Sequence, residues 1–135
     1  MFYDRERDAM FSIGSIIFDP EQEEAADFRT LATLLDHLSP DLVILEHPFL
    51  YSIAGFVGAV KLWCSLRRIP WWMVTANTAK KACLGRGQAS KHEVYAWAMP
   101  HSVLQELCRA HPLTQHEADA LLYLETWKIT HQERR

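Results

Sequence analysis

An α/β fold is predicted by three features of the sequence. Two short unbroken apolar runs, residues 42–45 (LVIL) and 71–75 (WWMVT), read as strands buried on both faces; amphipathic stretches of helical period alternate with them; and helix-start signals recur after each. At 135 residues, 49% of them hydrophobic, the chain can bury one sizeable core but hardly two, so residues 1–135 are read as a single domain.

The elements follow in order. Asp4 and Asp8 flank Arg5, Glu6 and Arg7 in what reads as a hairpin turn, leaving room for one short strand before Met10. Residues 10–18 (MFSIGSIIF) read as a strand ending at Asp19-Pro20, an N-cap followed by the first helical residue. The helix that starts there runs to about Leu38. Phe28, Leu31, Leu35 and Leu38 recur at its spacing, Glu21, Glu23 and Glu24 crowd the positive end of its dipole, and Ser39-Pro40 stops it. The run 42–45 ends abruptly at Glu46. A second helix is expected from about 53 to 67, apolar on most sides and basic at its end, before the strand 71–75. In the last third, Ser90-Lys91-His92-Glu93 and Thr114-Gln115-His116-Glu117 fit the capping box, and Ser102-Val103-Leu104-Gln105 fits its Gln variant. The final helix, about 115 to 128, is expected to turn Leu121, Leu122 and Leu124 to the core. No repeat, low-complexity tract or linker interrupts the chain.

No apolar run approaches the roughly 18 residues of a membrane span, and residues 1–10 are too charged for a signal peptide; a cytoplasmic protein without membrane contact is expected. Cys64, Cys83 and Cys108 are odd in number, widely spaced and without CxxC, which suggests reduced structural thiols rather than a disulfide framework or zinc knuckle. The net charge of −3 argues against a nucleic-acid partner, but its distribution is segregated. Residues 1–46 hold eleven acids against three Lys or Arg, whereas residues 47–92 hold seven Lys or Arg and no acid. By itself that pattern also fits an uneven solvated surface.

Three groups of residues could carry chemistry. Glu46 stands at the carboxyl end of a buried strand, where α/β sheets place ligands and catalytic groups, although a loop residue after a strand would look the same. His116 and Asp119, three apart on the final helix, share a face and could complete a divalent-metal site; exposed polar residues in a first helical turn are also ordinary. Glu117 lies off that face and has a sufficient role in the capping box. The stretch AKKACLGRGQASK places Gly85 and Gly87 among Lys80, Lys81, Arg86 and Lys91, which permits close backbone approach to a phosphate but is not a P-loop; a basic loop closing a short helix at Gly85 is the alternative. His37, His47, His92, His101, His111 and His131 show no zinc spacing and are read as structural or surface residues.

In order, these pieces resemble the RuvC family of Holliday junction resolvases. DLVILEHPF resembles the family's fourth strand, which ends in a catalytic glutamate followed three residues later by an aromatic, here Glu46 and Phe49. Lys80 with LGRGQASKHEV resembles its K-x4-G-x-G-x-A-x-K-x-x-V segment at Lys80, Gly85, Gly87, Ala89, Lys91 and Val94. HEADALLYL resembles its final helix, where an Asp or His precedes Asp-Ala by three residues, here His116, Asp119 and Ala120. The resemblance runs from about residue 10 to 128. It implies a ribonuclease H-like fold, a mixed central sheet flanked by helices, and an endonuclease that nicks four-way junction DNA as a homodimer. It further implies that Glu46, His116 and Asp119 hold two divalent ions, Mg²⁺ or Mn²⁺, that Lys80, Arg86 and Lys91 contact the DNA, and that Phe49 stacks at the opened junction centre.

The family's opening strand, which carries a further aspartate, has no counterpart here. The chain is expected to begin within the second strand of the sheet, leaving three of four metal ligands and an unpaired strand edge. Two other readings follow: a degenerate module that binds branched DNA without cutting it, and a related ribonuclease H-like nuclease acting on RNA.

Overall fold

The computed structural model describes residues 1–12, 24–48 and 51–132. In chain order the elements are β1 (Phe2–Asp4), β2 (Ala9–Phe11), α1 (Glu24–Leu38), β3 (Val43–Glu46), α2 (Tyr51–Leu66), β4 (Trp71–Val74), α3 (Ala76–Leu84), α4 (Lys91–Ala98), a 3-10 turn (Ser102–Leu104), α5 (Gln105–Ala110) and α6 (Gln115–Gln132). They fall into two compact units, Ser15–Val74 and Met1–Gly14 with Thr75–Arg135. The predicted strand beyond residue 12 and the Asp19-Pro20 helix start lie outside the described residues.

In the unit Ser15–Val74, the two apolar runs pair as parallel strands in the register Val43↔Trp71 to Glu46↔Val74. The ladder continues one step further, where the His47 N–H donates to the Val74 carbonyl at 2.8 Å. The helical spacing read from the sequence turns Phe28, Leu31 and Leu35 of α1 onto Val60, Trp63 and Cys64 of α2, with Val43, Leu45 and Ile69 closing the cluster. The Phe28 and Phe56 rings meet edge to face at 6.4 Å. Ser39 stops α1 in the left-handed region at φ 48°, its N–H returning to Leu35 O at 2.9 Å.

In the other unit, β1 and β2 form an antiparallel hairpin with Phe2 opposite Phe11 and Asp4 opposite Ala9. The turn is where the flanking aspartates predict it. Asp4 Oδ1 accepts from the backbone N–H groups of Glu6 and Arg7 at 3.0 and 3.4 Å, and Asp8 takes a left-handed φ of 49°. Lys128 of α6 lies 4.6 Å from the Tyr3 ring centre and 3.8 Å from Asp8, tying the hairpin to that helix. α3 and α4 both pack on α6, and β2 packs on α5 and the 3-10 turn. Leu121 and Leu122 are fully buried, as are Val94, Ala98 and Leu104. Cys64 is buried and Cys83 half-buried, and loss of hydration pushes both thiols up. Cys108, also expected to be structural, is exposed.

One predicted helix start does not form as read. Ser102 opens a 3-10 turn instead of capping an α-helix, because the His101 side chain accepts the Val103 N–H at 3.4 Å and takes over the cap. Gly85 ends α3 at φ 83°, its N–H donating to Lys81 O at 3.0 Å. An added Cβ would meet open space there, so Gly85→Ala is expected to cost only the left-handed strain, about 1 kcal/mol, read as a lowered chemical-denaturation midpoint.

Candidate active site

Glu46 is the last paired residue of β3, and its side chain is exposed. β4 ends at Val74 and the chain enters α3 at Ala76, so the Glu46 carboxylate stands at the carboxyl end of the strand pair. Among the described residues it has no hydrogen-bond or ion-pair partner. Phe49 lies outside the described residues.

His116 and Asp119 stand one turn apart at the start of α6, His116 exposed and Asp119 half-buried. Helix entry is fixed by a complete capping box. Thr114 Oγ1 accepts the Glu117 N–H at 3.3 Å, and Glu117 Oε1 accepts the Thr114 N–H at 2.9 Å. The Gln115 side-chain amide donates to Asp119 Oδ1 at 3.1 Å, which orients the carboxylate while leaving its second oxygen available. His116 has no hydrogen-bond or ion-pair partner among the described residues.

The basic segment is built on α3 and α4. Thr75 caps α3, accepting the Thr78 N–H at 3.2 Å, and Lys80 follows on that helix, half-buried. Past Gly85 the chain turns tightly enough that a Cβ at Gly87 would lie 3.4 Å from the Asn77 carbonyl. Ser90 caps α4 through the Glu93 N–H at 3.1 Å, leaving Lys91 exposed at the first helical position without a partner among the described residues. Arg86 is held 3.5 Å from Glu93, an exposed pair of little energetic weight.

One compact unit therefore carries Lys80, Arg86, Lys91, His116 and Asp119 on or between helices packed on α6, while Glu46 belongs to the other unit. Within the described residues no three His, Cys, Asp or Glu side chains already form a metal cluster. The sequence reading missed the Gln115 contact, although Gln and Asp four apart on a helix signal it. It also passed over His111 as structural or surface, where the structure places it 3.3 Å from the buried Glu117 carboxylate.

The fold superposes on solved RuvC from Thermus thermophilus with a TM-score of 0.62 over 82% of this chain and 71% of that one, at 23% identity. A crossover junction endodeoxyribonuclease RuvC from Chlamydia abortus is 36% identical over 74 residues, and that of Chlamydia caviae 35% identical over the same length. Over these stretches the chain is similar to RuvC. Its fold is the ribonuclease H-like α/β fold that the ordered motifs imply. The matched stretch is 50% of this chain and 45% of the Chlamydia abortus protein, so the chain spans about half the length of the curated relatives it matches. A second Thermus thermophilus structure, RuvC in complex with Holliday junction substrate, superposes with a TM-score of 0.59 over 81% of this chain and 70% of that one, again at 23% identity. No protein-family profile matches the chain. No helix among the described residues is long and apolar enough to cross a membrane.

Proposed function

We propose that this chain is a structure-selective endodeoxyribonuclease that cuts four-way DNA junctions with divalent metal, residues 1–135 forming one nuclease domain that acts in the cytoplasm as a homodimer. The observation that carries the reading is the first turn of α6, where an imidazole without a partner among the described residues and an oriented carboxylate stand on the helix against which the lysine-bearing α3 and α4 pack. The junction-bound Thermus thermophilus RuvC supports the choice of substrate.

The donors fit a hard divalent cation. Glu46 and Asp119 supply carboxylate oxygens, and His116 supplies an imidazole better tolerated by Mn²⁺ than by Mg²⁺. No protein cation competes for Glu46 or His116 among the described residues. Divalent ions held there would supply a water of lowered pKa and charge stabilisation for the leaving oxygen of a phosphodiester displacement. The chain's own part is to place and balance charge. Lys80 and Lys91 hold the DNA backbone and oppose the negative charge that develops on the phosphate, Arg86 adds a contact beside them, and Phe49 stacks on an unpaired base at the junction centre.

The decisive experiment is cleavage of a labelled four-way junction beside linear duplex and an RNA–DNA hybrid, in Mg²⁺, in Mn²⁺ and with chelator. Nicking of the junction alone, abolished by chelation, is expected. Tight junction binding without nicking in either metal would replace this reading with the binding-only module, and nicking of the hybrid alone with the RNA nuclease. The lysines are tested separately. Lys91→Ala is expected to reduce the slope of log affinity against log salt by about 1, the signature of one lost phosphate contact.

A further inference from the structure

Glu117 is only 5% exposed, an unusual place for a carboxylate, and it lies between His116 and Asp119 in the sequence. The capping box accounts for one of its oxygens. Oε2 is also buried, has no hydrogen bond among the described residues, and faces His111 Nε2 at 3.3 Å. The other His111 nitrogen, Nδ1, lies 2.9 Å from the Pro112 carbonyl oxygen, which can only accept, so that nitrogen carries a proton. With a proton on Nε2 as well, the ring offers Glu117 a cation on the side that the box leaves open. A buried carboxylate oxygen stripped of its counter-charge is driven toward water, and the first turn of α6 would move with it.

We propose that His111 is a positioning residue for the metal-binding turn of α6: by closing the open side of buried Glu117 it holds His116 and Asp119 in one orientation toward a divalent ion. The proposal rests on the assignment of His116 and Asp119 as ligands. It adds that the loop before α6 sets their affinity without touching the metal.

Mn²⁺ alone, added to the full chain and followed by the electron paramagnetic resonance of the free ion, reads this directly, with thermal midpoints recorded in parallel. His111→Leu is expected to weaken Mn²⁺ binding about tenfold at temperatures well below its midpoint, as loss of an outer-shell partner does. His111→Gln keeps an N–H donor toward Glu117 and should stay within about threefold of the parent. Glu117→Gln keeps the capping box but removes the charge that His111 faces, so it should weaken Mn²⁺ binding by itself. In that background, His111→Leu should change the affinity by less than about twofold. A lowered midpoint with unchanged Mn²⁺ affinity in His111→Leu overturns the proposal, as does parental affinity in Glu117→Gln, which reads the same coupling even if His111→Leu does not fold. Asp119→Asn separates the premise. Parental Mn²⁺ binding in that variant removes the ligand assignment and the proposal with it, whereas lost binding there beside unchanged binding in His111→Leu removes the proposal alone.

Discussion

Asp119→Asn is expected to lower metal-dependent junction cleavage by more than about 100-fold, beyond the range seen when outer-shell partners of a metal site are removed. The substitution keeps the size of the side chain and one acceptor oxygen, so the Gln115 amide, now 3.1 Å from Oδ1, can still donate to it and the helix start is preserved. What is lost is a unit of negative charge and one oxygen donor, the two properties a hard cation requires. Junction affinity should hold or rise slightly, because phosphate binding is driven by Lys and Arg and one nearby anion has been removed. Single-turnover nicking in Mg²⁺ and Mn²⁺ beside an electrophoretic binding assay measures both quantities. Unchanged nicking would take Asp119 out of the site.

The largest expected effect on stability is at the same helix but on its opposite purpose. Leu122 is fully buried in α6, and Leu122→Ala is expected to cost about 2–5 kcal/mol through lost burial and the cavity left behind. For a chain of this size that corresponds to a fall of order 10 °C in the thermal midpoint. Leu66, 73% exposed at the end of α2, is the internal control: Leu66→Ala should stay within about 0.5 kcal/mol. A shift at position 122 no larger than the control would mean that α6 does not anchor the core of its unit.

The local signals in the sequence led to real elements. Thr114 and Ser90 form the caps that their spacing to Glu117 and Glu93 predicts, Gly85 ends a short helix, and Asp4 to Asp8 make the hairpin turn. Ser102 shows the limit of that logic. Its motif matched the box, yet a neighbouring histidine offered the same acceptor one residue earlier and won. For the candidate site, the strand end at Glu46 and the shared helical face of His116 and Asp119 were legible because strand ends and helical spacing are properties of the chain alone, while the roles proposed for them came from the resemblance. Gln115 was legible in principle from its spacing to Asp119. The role of His111 was not, because nothing near it in sequence announces that Glu117 would be buried.

The sequence by itself determined the alternation of strands and helices, the strands at residues 42–45 and 71–75, and the residue types at the candidate site. All of these follow from hydrophobic period, capping chemistry and ordered motifs, which act over a few residues. Only the tertiary structure decided which of these groups share one unit and which lose their water. Packing of α3 and α4 on α6 places Lys80, Lys91, His116 and Asp119 in one unit, and burial leaves one Glu117 oxygen facing His111. Those outcomes depend on which side of a helix loses its water, and that is set by the elements packed against it.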